Sequence, residues 1–320
     1  MLTPIMNIRA LPIVATLSAT LLVGCGEPWQ EPPPVDQAAF LAEHEEWRLD
    51  RQRKTVTPPN GPLLWIGLWN LPEGETRFGS EYGIGITMPE EDSPAFAGTL
   101  HRSGMDVQLV PESGSKIRLF EGDEVTESMA LRHDRMEDPT RLELGSLGLR
   151  VHSERGSDRL WLRAWDEDHP GIEGFLLPEF YAVDPAWRFQ ARMELYPEPI
   201  ILTVPDVTGG TIEYTAPGEL VFEKDGREHR LIATQTPTST SYFVMMWDST
   251  ATTETYQAGR YIRPLLVDEG GWTTIDFNRG YNAPCVFTGF SVCALPPRAN
   301  WLTMHVTAGE KRPDKLPDGS

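Results

Sequence analysis

Apolar positions change period once along this 320-residue chain. Phe40, Glu43 or His44, Trp47 and Arg51 recur at helical spacing, and only part of that stripe is apolar. Asp36 suits the N-cap. Residues 36–56 are therefore expected to form a peripheral helix that lies on the body through Phe40 and Trp47, with His44 solvated. A Pro/Gly break follows at 55–61. From there to the end, short apolar runs alternate with Gly, Pro, Asp and Ser, the pattern of an all-β sandwich or barrel.

Several runs predict individual strands. Leu160–Trp165 alternates, with Trp161 and Arg163 on one face and Leu162 on the other. Phe180–Met193 and Glu198–Thr208 read as two strands around Tyr196-Pro197. Leu220–Ile232 is the cleanest hairpin, turning at Asp225-Gly226, with His229 on the exposed face of the return strand. Tyr242–Trp247 is nearly all apolar and predicts a central buried strand. Tyr261–Val267 and Trp301–Thr307 follow as strands, the latter carrying His305. In Trp272–Leu295, the turn residues Asn278-Arg279-Gly280 end a strand, and a short hairpin from Val286 to Cys293 sets Cys285 opposite Cys293. The fold class is mainly β: an N-terminal helix, a β-sandwich over 62–150, then a second antiparallel β-barrel or sandwich over 151–310. Val151–Pro178 is expected to link the halves, and 311–320 to be a disordered tail.

Residues 1–24 read as a lipoprotein signal peptide. Arg9 supplies positive charge, Leu11–Val23 is an apolar run, and Leu22-Val23-Gly24-Cys25 looks like a bacterial lipobox. The competing reading is an ordinary signal peptide that contains a cysteine. On the lipobox reading Cys25 is lipidated, the lipid anchor is the contact with the membrane, and 25–35 is a Pro-rich tether. Gly26 in place of Asp favours the periplasmic face of the outer membrane in a Gram-negative cell envelope. The chain carries 28 basic against 47 acidic side chains, a net charge of −19. That balance argues against nucleic acid as a partner and against a broad electrostatic hold on anionic lipid.

The chemistry is less legible. Gly-x-Ser-x-Gly, a phosphate-cradling glycine loop, His-Glu-x-x-His and paired Cys-x-x-Cys are all missing. No cofactor and no metal site are expected; the Asp166–His169 loop lacks the spacing of a calcium loop. An exported chain meets an oxidising compartment, which favours a disulfide between Cys285 and Cys293 over a metal pair or a nucleophilic thiol. Tyr256, Arg260, Asp276, Asn278, Tyr281 and Asn282 are polar groups near strand ends and candidates to line one ligand pocket. The alternative for each is to satisfy backbone groups in a turn. Arg260 either clamps a ligand carboxylate or pairs with Asp276. Three functions remain open: a small-molecule or partner-binding accessory module, a hydrolase using Asp276 or His305 as base, and a structural protein-interaction module.

Two resemblances add to this reading. Asp276-Phe277-Asn278-Arg279-x-Tyr281-Asn282-x-Pro284-Cys285-x-Phe287-Thr288 and Cys293-x-Leu295-Pro296-Pro297 resemble the signature of the DUF1684 family. So do Asp248-x-Thr250, Thr255-Tyr256-x-x-x-Arg260, Ala308-Gly309-Glu310 and Gly67-Leu68-Trp69-x-Leu71. Gly280 and Ala283 depart from the family's usual alanine and proline. The resemblance spans roughly Phe40 to Glu310 and implies a shared fold without an assigned chemistry. Leu71–Ser80 with Ile84–Pro89, Ser113-Gly114-Ser115 and Glu121–Val125 resemble a degenerate forkhead-associated (FHA) domain. Ser80 stands where that family has its phosphate-binding arginine and Phe96 where it has histidine, so phosphothreonine binding is not expected.

Overall fold

The computed structural model describes residues 29–313. The signal reading, Cys25 and residues 314–320 fall outside this range. Helix α1 runs from Gln37 to Thr55, and Asp36 caps it by accepting the Ala39 N–H at 2.9 Å. Arg53 and Lys54 in the last turn match the negative end of the helix dipole. Phe40 is buried, and Trp47 packs edge-on against Phe180. His44, expected in solvent, is buried as well, because its ring meets Asp276 on the body beneath and the Phe40 carbonyl of its own helix.

Ten strands build the first unit: β1 (Trp65–Asn70), β2 (Gly74–Gly79), β3 (Ile86–Thr87), β4 (Gly98–Ser103), β5 (Asp106–Pro111), β6 (Arg118–Leu119), β7 (Met129–Leu131), β8 (Leu142–Leu144), β9 (Leu147–Ser153) and β10 (Leu160–Asp166). They form two five-stranded sheets, β1-β10-β9-β8-β6 and β3-β2-β4-β5-β7. Alternation along β5 turns Val107 and Leu109 inward. They join Phe78, Leu100, Leu142, Leu149 and Leu162 in one core between the sheets.

The segment expected to link the halves instead supplies β10, which lies between β1 and β9. The first unit therefore extends past Arg150. Leu160, Leu162 and Ala164 face its core, while Arg163 on the other face is covered by the second unit. The Arg163 guanidinium stacks 3.8 Å from the Trp65 ring centre and donates to the Phe290 carbonyl at 3.3 Å. Burial, and then the Arg150 charge, pull its pKa down to about 9.

The second unit holds β11 (Arg188–Pro205), β12 (Thr211–Lys224), β13 (Arg227–Ala233), β14 (Val244–Asp248), β15 (Arg260–Ile262), β16 (Trp272–Asp276), β17 (Tyr281–Asn282) and β18 (Trp301–Leu302). Its sheets are β13-β12-β11-β16 and β17-β15-β14-β18. The two strands expected around Tyr196-Pro197 are one continuous β11. Pro197 and Pro199 cannot donate to the ladder, so its register with β12 slips between Leu195 and Ile200. The β12–β13 hairpin turns as expected, with both Asp225 (φ 53°) and Gly226 (φ 71°) left-handed. His229 is half-buried, stacked on Phe222. Pro264 stops β15 after three residues, and β18 is only two residues long, so His305 lies beyond it on an exposed irregular segment. The hairpin expected from Val286 to Cys293 is absent: Pro284 opens a 3-10 turn, and the rest is irregular.

Cys285 and Cys293 are nevertheless joined, with sulfurs 2.08 Å and Cα atoms 6.5 Å apart. Closing so short a loop stabilises the fold by about 2.5 kcal/mol on the chain-entropy account. The closed loop reaches the first unit, where the Thr288 hydroxyl donates to the Trp65 carbonyl at 3.0 Å. Arg159 crosses the same junction to Asp206 at 2.5 Å. Lys311, assigned to the tail, is pinned by its N–H to the Glu179 carbonyl at 2.7 Å.

One unforeseen pair inside the first unit makes its stability pH-dependent. Asp134 accepts from His152 Nδ1 at 2.6 Å and from the Ser153 N–H at 3.0 Å. Burial raises its carboxyl, but these hydrogen bonds and the nearby positive charge outweigh burial and hold it at about 2. A carboxyl depressed in the folded state contributes stability that is complete above its ordinary pKa and lost as pH falls through the folded one. His152, lowered chiefly by burial, adds a loss that begins below its ordinary value, because the unfolded ring protonates first. In urea unfolding, the wild type should lose about 2 kcal/mol more than Asp134→Asn between about pH 5 and pH 2. Parallel curves for the two proteins would remove Asp134 as the source.

Candidate functional site

Asp276 ends β16, and its Oδ1 accepts the Asn278 N–H at 3.0 Å and Asn278 Nδ2 at 2.9 Å, which shapes the turn that follows. Its Oδ2 faces His44 Nε2 at 2.9 Å, while His44 Nδ1 lies 2.8 Å from the Phe40 carbonyl. Both ring nitrogens thus face oxygen atoms, one on α1 itself and one on the sheet. The Asp276 carboxylate is spent on the turn and on α1.

Glu310 makes the second clamp. Its carboxylate has no exposed surface, takes a forked contact from Arg51 of α1 and accepts the Asn282 N–H at 2.7 Å. The same guanidinium donates to the Asn282 carbonyl at 3.1 Å and lies 4.7 Å above the Tyr281 ring. Asn282 donates its amide to the Lys311 carbonyl at 2.8 Å. Glu310 reaches this position because Gly309, left-handed at φ 81°, packs on the chain at Gly280; a Cβ there would come within 2.5 Å of the Gly280 carbonyl oxygen.

Arg260 does not pair with Asp276. It is buried beside Asp248, with Nη2 2.7 Å from Asp248 Oδ2, and gives its other bonds to the carbonyls of Val306, Ala308 and Glu310. The other Asp248 oxygen accepts the Thr250 N–H and hydroxyl and the Val306 N–H. Thr250 in turn meets Thr255 at 2.9 Å. The Asp-x-Thr and Thr-Tyr-x-x-x-Arg blocks therefore form one buried lock on the returning chain.

The six candidate residues are not brought into one cavity. Arg260 and Asn282 are sealed, and Asn278 is closed onto the backbone of Asp184. Tyr256 is buried in an apolar cluster, where burial raises its phenol. Tyr281 is half-buried and accepts from Arg263 Nε at 2.8 Å. Asp276 borders an open groove of about 490 Å³ between the start of α1 and the sheet. Phe40, Ile262 and Pro264 give this groove apolar wall; Arg188, Arg279 and Glu43 add charge. His305 is exposed and does not line it. The pairing of His44 and Arg51 with Asp276 and Glu310 is not legible in the sequence, because a helix facing the distant end of the chain leaves no local sequence pattern. Their recurrence on the stripe of Phe40 and Trp47 was the available signal.

The architecture is that of a mainly β protein whose C-terminal unit is locked from within and clamped by an N-terminal helix. Residues 173–311 match the family model described as "Protein of unknown function (DUF1684)". That match is narrower than the resemblance read from the sequence and leaves Gly67–Leu71 outside it. An uncharacterized protein of Haloarcula marismortui is 29% identical over 43% of this chain and 78% of its own, with a TM-score of 0.37. The N-terminal FHA domain of EssC, a component of the bacterial type VII secretion apparatus, is 10% identical over 31% of this chain and 45% of its own, with a TM-score of 0.23. Both superpositions are loose. No curated protein matches the chain.

Removing Arg260 alone strands the buried Asp248 carboxylate and three carbonyls. Arg260→Ala should cost about 3–5 kcal/mol in urea unfolding, whereas the paired change Arg260→Met with Asp248→Leu should cost clearly less. Equal losses would mean that packing, and not the charge left behind, sets the penalty.

Proposed function

We propose that the protein is an envelope-tethered binding module that holds a small molecule in the groove between α1 and the signature sheet. The observation that carries this reading is how the chemistry-bearing side chains are used. Asp276, Asp248, Arg260 and Glu310 are closed into hydrogen bonds with one another's neighbours, so none stands ready to move a proton, while the groove beside them stays open. Its mixture of apolar wall and charged rim suits a ligand with an apolar body and a polar edge. The hydrolase alternative draws no comparable support, since His305 does not line the groove beside Asp276.

The envelope part of the proposal rests on Arg9, the apolar run and Leu22-Val23-Gly24-Cys25. The docked chain starts soon after that cysteine. Trp29 packs edge-on against Trp272, and the Arg192 guanidinium lies 4.4 Å from its ring centre. A lipid at Cys25 would lie four residues before Trp29, at most about 14 Å of chain away. The groove would then lie on a body held close to the membrane rather than lifted away on a long stalk.

The test is a thermal-shift screen of the full-length protein in detergent against small organic acids and glycans, with Ala39→Trp as comparison. Ala39 is an exposed residue of α1 at the groove, so the indole would occupy the space without disturbing the clamps. A ligand should raise the midpoint of the wild type and lose that effect in Ala39→Trp. Stabilisation that is identical in both proteins would sink the groove as the site.

A further inference from the structure

A second concavity, of about 500 Å³, opens where the two units meet. One wall is the turn after β9, with Arg155 and Gly156, joined by Arg135 from the stretch after β7. The other is Glu213–Thr215 of β12, the chain from Thr234 to Ser239, Phe243 and Arg263. Three guanidinium groups thus gather at one opening in a protein whose net charge is −19.

These arginines are unspent, unlike those of the clamps. Among the described residues, none of the three forms an ion pair. Arg135 gives Nε to the Ser153 carbonyl at 2.9 Å and Arg263 gives Nε to the Tyr281 hydroxyl at 2.8 Å, which fixes both planes and leaves their Nη groups free. Arg155 lies 5.8 Å from the Tyr214 ring centre and Arg263 lies 4.8 Å from that of Phe243. Those two rings are 5.7 Å apart and border the same space. Two carboxylates stand near. Glu213 is exposed at the lining, and Glu154 is buried behind Arg155 with one oxygen lacking any hydrogen bond. Burial pushes the Glu154 acid up, and its Oε2 lies 3.8 Å from the Arg159 guanidinium, outside the cluster of three. Burial, and then the Arg135 charge, lower the Arg155 pKa, which places the two cations close enough to repel.

We propose that this cleft binds a small organic oxyanion, a carboxylate or a phosphate ester attached to a flat apolar body. The forked donors of Arg135, Arg155 and Arg263 match either oxyanion, and Tyr214 and Phe243 supply the surface for the flat body. The volume falls in the range of small-molecule sites. Bringing an anion between like charges relieves repulsion that the fold otherwise sustains, so binding draws on an interaction absent from the empty cleft. The site is separate from the groove beneath α1, although Arg263 borders both.

Isothermal titration of the full-length protein in detergent tests this with inorganic phosphate, phenyl phosphate, benzoate and the neutral analogue benzyl alcohol, all at matched ionic strength. Phenyl phosphate or benzoate should bind with a dissociation constant of about 0.1–1 mM, and benzyl alcohol should not. A preference for one of the two anions assigns the oxyanion. Arg155→Gln should weaken binding at least tenfold, Arg155→Lys less, and Arg135→Gln should repeat the loss in case one variant is poorly folded. Ala39→Trp should leave this binding unchanged, which separates the cleft from the groove. Anion binding that survives Arg155→Gln and Arg135→Gln in folded protein would overturn the proposal, as would binding of benzyl alcohol as tight as that of benzoate.

Discussion

A carboxylate without exposed surface, that of Glu310, is where the parts of this molecule meet. Its oxygens hold Arg51 of α1 and the backbone of β17, and its carbonyl accepts from Arg260, which is locked to Asp248 at the end of β14. An unpaired carboxylate at that depth would cost several kcal/mol, so its partners are not optional. The helix has little apolar area to anchor it: on its inner side only Phe40 among the large apolar residues is fully buried. Its position is set instead by charge-assisted contacts at His44 and Arg51. A peripheral helix with a weak apolar stripe is thus held as firmly as a core element.

This also explains what the blocks that resemble the DUF1684 signature do in this chain. Blocks far apart in sequence, at 248–260, 276–285 and 308–310, converge because each supplies one side of the same buried network. Polar residues gathered at strand ends read from sequence as a pocket. In three dimensions they hold irregular chain in place where ladder hydrogen bonds run out, since the strands here are short and much of the backbone from 277 to 310 is non-repetitive.

What could be read in the sequence follows the range of the interactions involved. The α1 boundaries, the Asp225-Gly226 turn, the buried β14 and the Cys285–Cys293 link depend on neighbours in the chain, and the spacing of a few residues was enough. The hairpin thought to present that disulfide was misread, because Pro284 favours a 3-10 turn over a strand. The partner of Arg260 was also misread, because Asp248 and Asp276 are both plausible carboxylates until the sheet order is known. β10 reads from sequence as part of a connecting segment because its partners β1 and β9 lie on both sides of it in space but only one lies nearby in sequence. The three arginines of the junction form no pattern in the sequence. They come from different segments and share only a location.

Arginine use separates scaffold from site in this fold. Arg51, Arg260 and Arg163 are each matched: to a carboxylate, to a carboxylate and carbonyls, and to an indole face with a carbonyl. Matching turns a costly buried cation into a fixed strut, and burial closes the Nε donors that Arg163 and Arg260 leave unpaired to any ligand. Arg135, Arg155 and Arg263 lie at a junction that the Arg159–Asp206 pair and the Cys285–Cys293 loop already hold together. Because the junction does not need them, their charge is not consumed by folding. A polar side chain is therefore informative about binding in proportion to the reachable donors it keeps after the fold is complete, and by that measure the cleft between the units stands apart from the buried network around Glu310.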